Sequence, residues 1–291
     1  MAGKIGLRFD VDSIKDASEG IKNLIDAKQK YGESFSFSIF ANMGRGINRK
    51  IVFSDLKTTR KRVNTRGLGK VSITKKLGAK DLLKTLILNP FIGKTGKKYF
   101  LEAKDLGCEI GLHGGMDHTL WQRKGKSFTY EDTKKLLMPA LREFKLSFGH
   151  PEGFTAPGFV QPEELERILK ENGFLYHCDI ADSNSMKIDF SGFLPNIPVN
   201  IIGLNTIPII SYLYSNKYSK DDTVNYVEKT VKTILKDFDG TPVIYGHPSV
   251  ELLLFRSIFE AIVENLLNKG YIFVSLKDLI NEEKKKSACN K

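Results

Sequence analysis

No apolar run in this 291-residue chain approaches the roughly 20 residues needed to cross a bilayer, so no membrane-spanning helix is expected. Cysteine is scarce. Cys108, Cys178 and Cys289 are odd in number and far apart, which excludes a disulfide framework and fits a reducing compartment. The opening residues Met1-Ala2-Gly3-Lys4 run directly into a strand-like pattern, which leaves no room for a signal peptide. There is no internal repeat and no linker-like stretch, so residues 1–291 are expected to form a single domain. Acidic residues are sparse in one region. Between Arg45 and Lys104 stand 17 Lys and Arg against 3 Asp and Glu, a surplus of 14 that leaves the rest of the chain at −3 within a total of +11. The positive charge therefore belongs to an insertion at about 45–104, and it calls for an anionic partner or surface. Nucleic acid is not the expected partner, because few aromatics alternate with the basic residues and no nucleic-acid motif is present.

What the chain does have is strand signals alternating with helical ones. Strands are predicted over Ile5–Asp10, Phe35–Phe40, Glu109–Leu112, Phe154–Pro157, Leu175–Cys178, Pro242–Tyr245 and Tyr271–Ser275. Helices are predicted over Ala17–Tyr31, Lys98–Leu106, Tyr130–Phe148 with a kink or break at Pro139, Pro162–Asn172, Thr223–Phe238, Ser257–Asn268 and a short Leu276–Asn281. Ile197–Ile202 and Ile207–Ile210 are apolar but contain or adjoin prolines, and read as strand or loop. The alternation implies an α/β fold with a parallel sheet.

Three of the strand-like runs end in polar groups. Asp10-Val11-Asp12 follows the first strand, His113 to His118 follows Glu109–Leu112, and His247 follows Pro242–Tyr245 after one glycine. Polar side chains at strand ends, drawn from distant parts of a chain, are how a (β/α) barrel assembles an active site. One carboxylate and two imidazoles can hold a divalent metal with an open position. The remaining carboxylate and imidazole can move protons. The combination points to metal-assisted hydrolysis of an amide or ester. Asp-x-Asp alone would more often be a helix N-cap, and it is the company of the three histidines that reverses this reading.

These stretches, together with Phe154-Thr155-Ala156-Pro157-Gly158-Phe159, resemble the polysaccharide deacetylase (NodB-homology) family in order and interval over nearly the whole chain. Within it, Gly6-Leu7-Arg8-Phe9-Asp10-Val11-Asp12, Asn42-Met43-Gly44-Arg45 and Trp121-Gln122 resemble the branch of deformylases that act on an undecaprenyl phosphate-linked formamido-arabinose. The resemblance implies a distorted (β/α) barrel of the polysaccharide deacetylase type. It implies Asp10 as catalytic base, His247 as general acid, Asp179 as an acidic group orienting a catalytic residue, and Asp12 and His113 as ligands of one divalent metal ion, zinc. Oxyanion and substrate contacts fall on Thr155, Gly158 and Phe159. Two departures stand out. The family spaces its metal histidines four apart, whereas His113 and His118 are five apart and Asp117 holds the usual place. Either the Gly114-Gly115-Met116 turn bulges and delivers His118, which imidazole chemistry favours, or Asp117 ligates. Thr155 stands where most of the family has an arginine, as in the deformylase branch.

Arg8 reads as either an ion-pair partner or a sugar-phosphate contact, and Trp121 as either rim packing or a stacking platform; with Arg45 they complete the substrate candidates. Leu82–Ile92 is apolar amid lysines, too short to span a bilayer but suited to lie in a membrane interface beside anionic headgroups. The resulting expectation is a cytoplasmic enzyme, peripheral on the inner membrane face, that removes formyl or acetyl from a lipid-linked amino sugar. The alternatives are an N-deacetylase of soluble or polymeric sugars, and a catalytically inert carbohydrate- or lipid-binding barrel.

Overall fold

The computed structural model describes residues 3–45, 81, 83, 85 and 87–289. Its central element is β1 (Lys4–Val11), in which side chains alternate between two environments. Ile5, Leu7, Phe9 and Val11 are buried in the apolar layer beneath the surrounding helices. The intervening Arg8 and Asp10 point the other way, to the inside of the sheet, where Arg8 meets the rings of Phe40, Phe159 and Tyr245. All pairing with β1 is parallel: β7 (Val243–Gly246) on one side, and on the other β2 (Ser38–Ala41) along its second half and β8 (Ile272–Val274) along its first, where Phe273 also bridges to Phe35. From β2 the sheet continues through β3 (Glu109–His113), β4 (Gly153–Thr155), β5 (Tyr176–Ala181) and β6 (Asn196–Val199).

Past β6 the chain turns back toward β7. Ile201 forms a parallel bridge to Ile244, with Ile201 N donating to Val243 O at 3.1 Å. Asn200, buried beside it, accepts from Val243 N at 2.9 Å and donates to Thr241 O at 2.9 Å and Ser185 O at 3.1 Å. This seam nearly closes the parallel sheet into a barrel whose interior is filled by Phe40, Tyr176, Cys178, Ile197, Val243 and Leu276. Outside it lie α1 (Ile21–Tyr31), α2 (Ile92–Asp105), α3 (His118–Lys124), α4 (Tyr130–Phe148), α5 (Leu165–Glu171), α6 (Ile209–Ser215), α7 (Lys220–Asp237) and α8 (Arg256–Asn268), while α9 (Leu276–Cys289) contributes Leu276, Leu279 and Ile280 to the interior. The expected α/β barrel is what the structure shows.

Several local expectations need correction. Pro139 does not end α4, which runs unbroken for 19 residues from a Thr129/Asp132 capping box; the buried stripe Leu137, Ala140, Leu141 and Phe144 continues across the proline. Ile209–Ser215 is a helix, with Pro208 just before it. The proline that argued against a strand there marks a helix start. α9 extends to Cys289, well beyond Asn281. Two π-helical turns, Asp16–Gly20 and Val250–Leu254, precede α1 and α8, and periodicity alone did not separate them from the helices. Most of the basic insertion lies outside the described residues. Its two stems are described: Arg45 forms backbone bridges to Phe91 and to Asp117.

Asn200 generates a stability prediction. Asn200→Ala would strand Val243 N–H and two carbonyls at the seam, and should cost about 2–4 kcal/mol, given roughly 1–3 kcal/mol for each buried group left unpaired. Urea unfolding of the variant measures it, and a loss under about 0.5 kcal/mol would mean that the seam does not depend on this side chain.

Candidate active site

β7 pairs directly with β1, and β3 lies one strand away across β2, so the residues at their carboxyl ends meet at one end of the barrel. Asp12 lies just past β1, His113 ends β3 and His247 follows β7. Asp12 Oδ1 lies 3.1 Å from His113 Nε2 and 3.2 Å from His118 Nε2, and Asp12 Oδ2 lies 3.2 Å from His247 Nε2. Burial by itself would disfavour the charged Asp12, but His118, His113 and His247 more than reverse this and hold its carboxyl well below the usual range.

The five-residue spacing of His113 and His118 has a local cause. Gly114 adopts φ +63 and donates its N–H to Thr155 O, and Met116 N–H donates to Leu136 O. The chain is thereby turned into α3. Asp117 becomes the N-cap of that helix, its Oδ1 accepting from Leu120 N at 2.9 Å, and His118 is the first helical residue. Gly44 fits closely beneath, where an added Cβ would sit 2.5 Å from the Met116 carbonyl carbon. One potential ligand atom from each of Asp12, His113 and His118 lies within 4.8 Å of the others, and Asp117 is not in the cluster.

This donor set fits a metal ion. Two ligands of a tetrahedral ion held at about 2.0–2.1 Å are separated by about 3.3 Å, close to the two Asp12 distances. His118 Nε2 is buried and makes no hydrogen bond of ordinary geometry. His113 presents Nε2 to Asp12 and sets Nδ1 2.7 Å from Thr155 Oγ1. Thr155 Oγ1 in turn lies 3.5 Å from Asp10 Oδ1. With Nδ1 protonated, the ring is fixed with Nε2 as a lone-pair donor, the arrangement a metal-binding histidine needs. Thr155 is thus a buried support for His113 and not the substrate or oxyanion contact expected from sequence.

Asp10 is gripped from behind. Arg8 Nε and Nη2 contact its two carboxylate oxygens at 2.9 and 2.6 Å, and Arg8 Nη1 also donates to the Cys178 carbonyl. Burial opposes the charge on Asp10, but Arg8 and then His113 outweigh it and lower its pKa. Burial likewise opposes the charge on Arg8, which Asp10 restores and strengthens. Arg8 is completely buried, so it is an ion-pair partner and not a sugar-phosphate contact. Trp121 is also completely buried, with Nε1 donating to Val160 O at 2.9 Å, and packs against Phe128 and Phe154; it is no stacking platform. Arg45 is exposed and stacks over Phe91 at 5.0 Å, at the root of the insertion.

Asp179 departs furthest from expectation. Its Oδ1 accepts from Ala156 N at 2.5 Å, and its Oδ2 faces His177 Nδ1 at 3.0 Å. His177 Nε2 lies 3.2 Å from Glu166 on α5. Burial disfavours the charged imidazole, but the bonds to Asp179 and Glu166 prevail and raise its pKa to about 9. This buried chain braces the backbone leading to Gly158 and Phe159, and Asp179 touches neither Asp10 nor His247.

A cavity of about 250 Å³ opens onto Asp10, Asp12, His113 and His247. Gly158 (φ +62) and Phe159 (φ +59) form one wall. Phe159 N–H is spent on Ala156 O at 3.0 Å within its own turn. Other walls were not anticipated: Tyr245, whose Oη lies 3.3 Å from His247 Nε2, together with Gln122, Asn205, Thr206 and Ser211. Tyr245 was detectable by parity, since it lies two residues before His247 on the same strand. Asn205 and Thr206 both have positive φ in an irregular loop, and no motif marks them.

No family model matches the chain. It is 28% identical over 288 residues, covering 96% of the chain and 87% of the relative, to the probable 4-deoxy-4-formamido-L-arabinose-phosphoundecaprenol deformylase ArnD of Shewanella sediminis. Among solved structures, a putative polysaccharide deacetylase from Mycobacterium smegmatis superposes with a TM-score of 0.64 at 13% identity, covering 98% of this chain and 91% of that one. A CE4 family pseudoenzyme from Bacillus anthracis gives 0.53 at 11% identity, over 96% of this chain and 66% of that one. The fold is therefore also that of a protein described as a pseudoenzyme, and likeness of fold alone does not show activity. Sequence similarity along nearly the whole chain and the acid, base and ligand set described above agree on an amide-bond hydrolase built on the polysaccharide deacetylase fold and similar to the formamido-arabinose deformylases.

Proposed function

We propose that the protein hydrolyses the N-formyl group of a lipid-linked amino sugar, with a divalent ion, zinc, held by Asp12, His113 and His118. The observation that carries the reading is the convergence of those three side chains, of which Asp12 and His113 line one cavity with Asp10 and His247. Two imidazoles and a carboxylate suit zinc. A bound ion supplies Lewis acidity toward water and the acyl oxygen. The protein's own groups do the rest. Asp10, kept ionised by Arg8, accepts a proton from the attacking water. Water oxygen bonds to the acyl carbon, and Gly158 N–H is the backbone donor offered to the developing oxyanion. His247 Nε2 then delivers a proton to the amine nitrogen as the C–N bond breaks, leaving formate and a free amino sugar.

The lipid-linked substrate has separate support. Arg45, at the start of the basic insertion, bridges Phe91 at its end and Asp117, the residue before His118, so both described stems lie beside the site. Within its returning stem Leu83, Ile87 and Leu88 are exposed at 58, 61 and 63%. Large apolar side chains beside a lysine-rich segment suit the boundary of an anionic membrane. No helix among the described residues is long and apolar enough to cross one.

Three outcomes are expected. Purified protein loaded with zinc should bind one ion. His118→Ala should lose it, while Asp117→Asn, which preserves the helix cap, should keep it; the reverse pattern would reassign the ligand. The loaded enzyme should release formate from a formamido sugar on an undecaprenyl phosphate carrier faster than acetate from free or polymeric N-acetyl sugars. Asp10→Asn and His247→Ala should each lower turnover by about a hundredfold or more, in the range of general acid–base groups. Preference for the acetylated polymers would make it a polysaccharide deacetylase, and metal binding without turnover on any substrate an inert binding barrel. The full chain should sediment with anionic vesicles in low salt, each nearby Lys or Arg contributing about 1 kcal/mol. Leu82, Leu83, Leu86 and Ile87 changed together to Ser should remove the part of the binding that salt does not. A wild type that stays in the supernatant would remove the membrane component.

A further inference from the structure

The loops that carry Asp12 and His247 are joined by a buried carboxylate with no part in the chemistry above. Asp16 opens the π-helical turn Asp16–Gly20 and is completely shielded from solvent. It accepts from Ser13 Oγ at 2.6 Å, from Ser249 N at 2.9 Å and from Ser249 Oγ, and its own N–H donates to Ser13 Oγ at 3.1 Å. Ser13 is the residue after Asp12, and Ser249 is two residues past His247. The second π-helical turn, Val250–Leu254, closes the arrangement from the other side, where Glu251 Oε2 accepts from His247 N at 2.6 Å. The two loops also touch through Gly20, where an added Cβ would lie 2.6 Å from Pro248 Cβ and 2.9 Å from Ser249 N.

The need for such a link follows from the sheet. β1 and β7 pair in register as far as Phe9 and Gly246. Beyond that point no backbone ladder holds Asp12 against His247, yet His247 Nε2 lies 3.2 Å from Asp12 Oδ2. A displacement of about 1 Å at such a distance can cost on the order of a hundredfold in rate.

We propose that Asp16 is a positioning residue. By gripping Ser13 and Ser249 it sets the separation between the metal-ligating Asp12 and the proton-donating His247, and so acts on turnover through His247. The proposal rests on the reading of His247 as proton donor, and it assigns Asp16 no contact with substrate.

The test compares Asp16→Ala in the wild-type and His247→Ala backgrounds, in zinc-loaded protein, on whichever acylated sugar the wild type hydrolyses. In the wild-type background kcat should fall by about tenfold or more, with KM within about twofold and one zinc ion still bound. In the His247→Ala background the same change should cost less than about twofold, because the residue through which it acts is already gone. A purely structural role would multiply the loss in both backgrounds. Ser249→Ala, which removes one hydroxyl donor and no buried charge, should show the same pattern at smaller amplitude and carries the test if Asp16→Ala does not fold. A folded Asp16→Ala enzyme with kcat within twofold of wild type overturns the proposal, as does a full loss in the His247→Ala background. If the wild type hydrolyses nothing, it is the functional reading that fails. The clamp is then judged by a crystal structure of Ser249→Ala, in which the distance from His247 to Asp12 should grow beyond hydrogen-bond reach and an unchanged distance refutes it.

Discussion

The buried pair of Arg8 and Asp10 is the interaction on which the rest of this site depends. A guanidinium with no solvent exposure would be prohibitively costly alone, and here it is matched in fork geometry to one carboxylate. The rings of Phe159 and Tyr245 flank it at 4.6 and 5.1 Å. Through these contacts Arg8 links the floor of the barrel to three walls of the cavity: β1 through Asp10, β7 through Tyr245, and the Gly158 loop through Phe159. It also fixes what Asp10 can be. A carboxylate whose pKa is lowered by a permanent cation stays ionised across the ordinary pH range and is available as a proton acceptor.

Asp10 and Asp12 show how environment sets apart two identical side chains at the end of one strand. They are two residues apart, so they face the same way. Asp10 sits deeper, is paired with Arg8 and has His113 beyond Thr155. Asp12 sits at the mouth, ringed by His113, His118 and His247. Three imidazoles cannot neutralise a carboxylate as firmly as an arginine does unless they are protonated, and lone-pair donors so close together invite a cation between them. Asp12 therefore has the surroundings that suit a ligand, whereas both oxygens of Asp10 are already engaged by Arg8.

Much of this was legible in the sequence because strand parity and strand ends are local properties. Asp10, Asp12, His113 and His247 each sit at or just past the end of a run whose apolar character marks a buried strand, and the barrel brings those ends together. The preference for His118 over Asp117 was legible too, since paired glycines permit a turn that advances the chain by one residue; the N-cap bond of Asp117 supplies the reason that sequence alone could not. Arg8 and Trp121 were open between two readings because a single sequence does not reveal burial. A charged or aromatic residue beside a catalytic motif looks the same whether it faces ligand or core. Asp179 could have been placed by parity. Cys178 beside it fills the barrel interior against Arg8, so Asp179 is turned to the opposite face, where His177 and Glu166 receive it.

The parts that were not legible share a cause. Asn205 and Thr206 enter the cavity from an irregular loop, and Ser211 and Gln122 from the seven-residue helices α6 and α3, all placed by tertiary contacts. Among these are the seam at Asn200 and Ile201, the turn at Pro208, and the turn into α3 built on Gly114. The loop has no period, and each helix is too short for a 3.6-residue period to point its side chains in advance. The catalytic core of a barrel enzyme is written in its strand ends, which obey sheet geometry, whereas the walls that select a substrate are written in loops, which obey their neighbours. Here the wall residues include a tyrosine, a phenylalanine, two amides and two hydroxyls, with Ile207, Pro208 and Val250 beside them. Uncharged donors and acceptors beside two aromatic faces are the composition expected for a sugar ring, and they place the positive charge that would meet a phosphate outside the cavity, at Arg45 and the insertion it roots. On the proposed function, recognition would be split: the cavity would read the sugar and its acyl group, and the basic rim what the sugar is attached to.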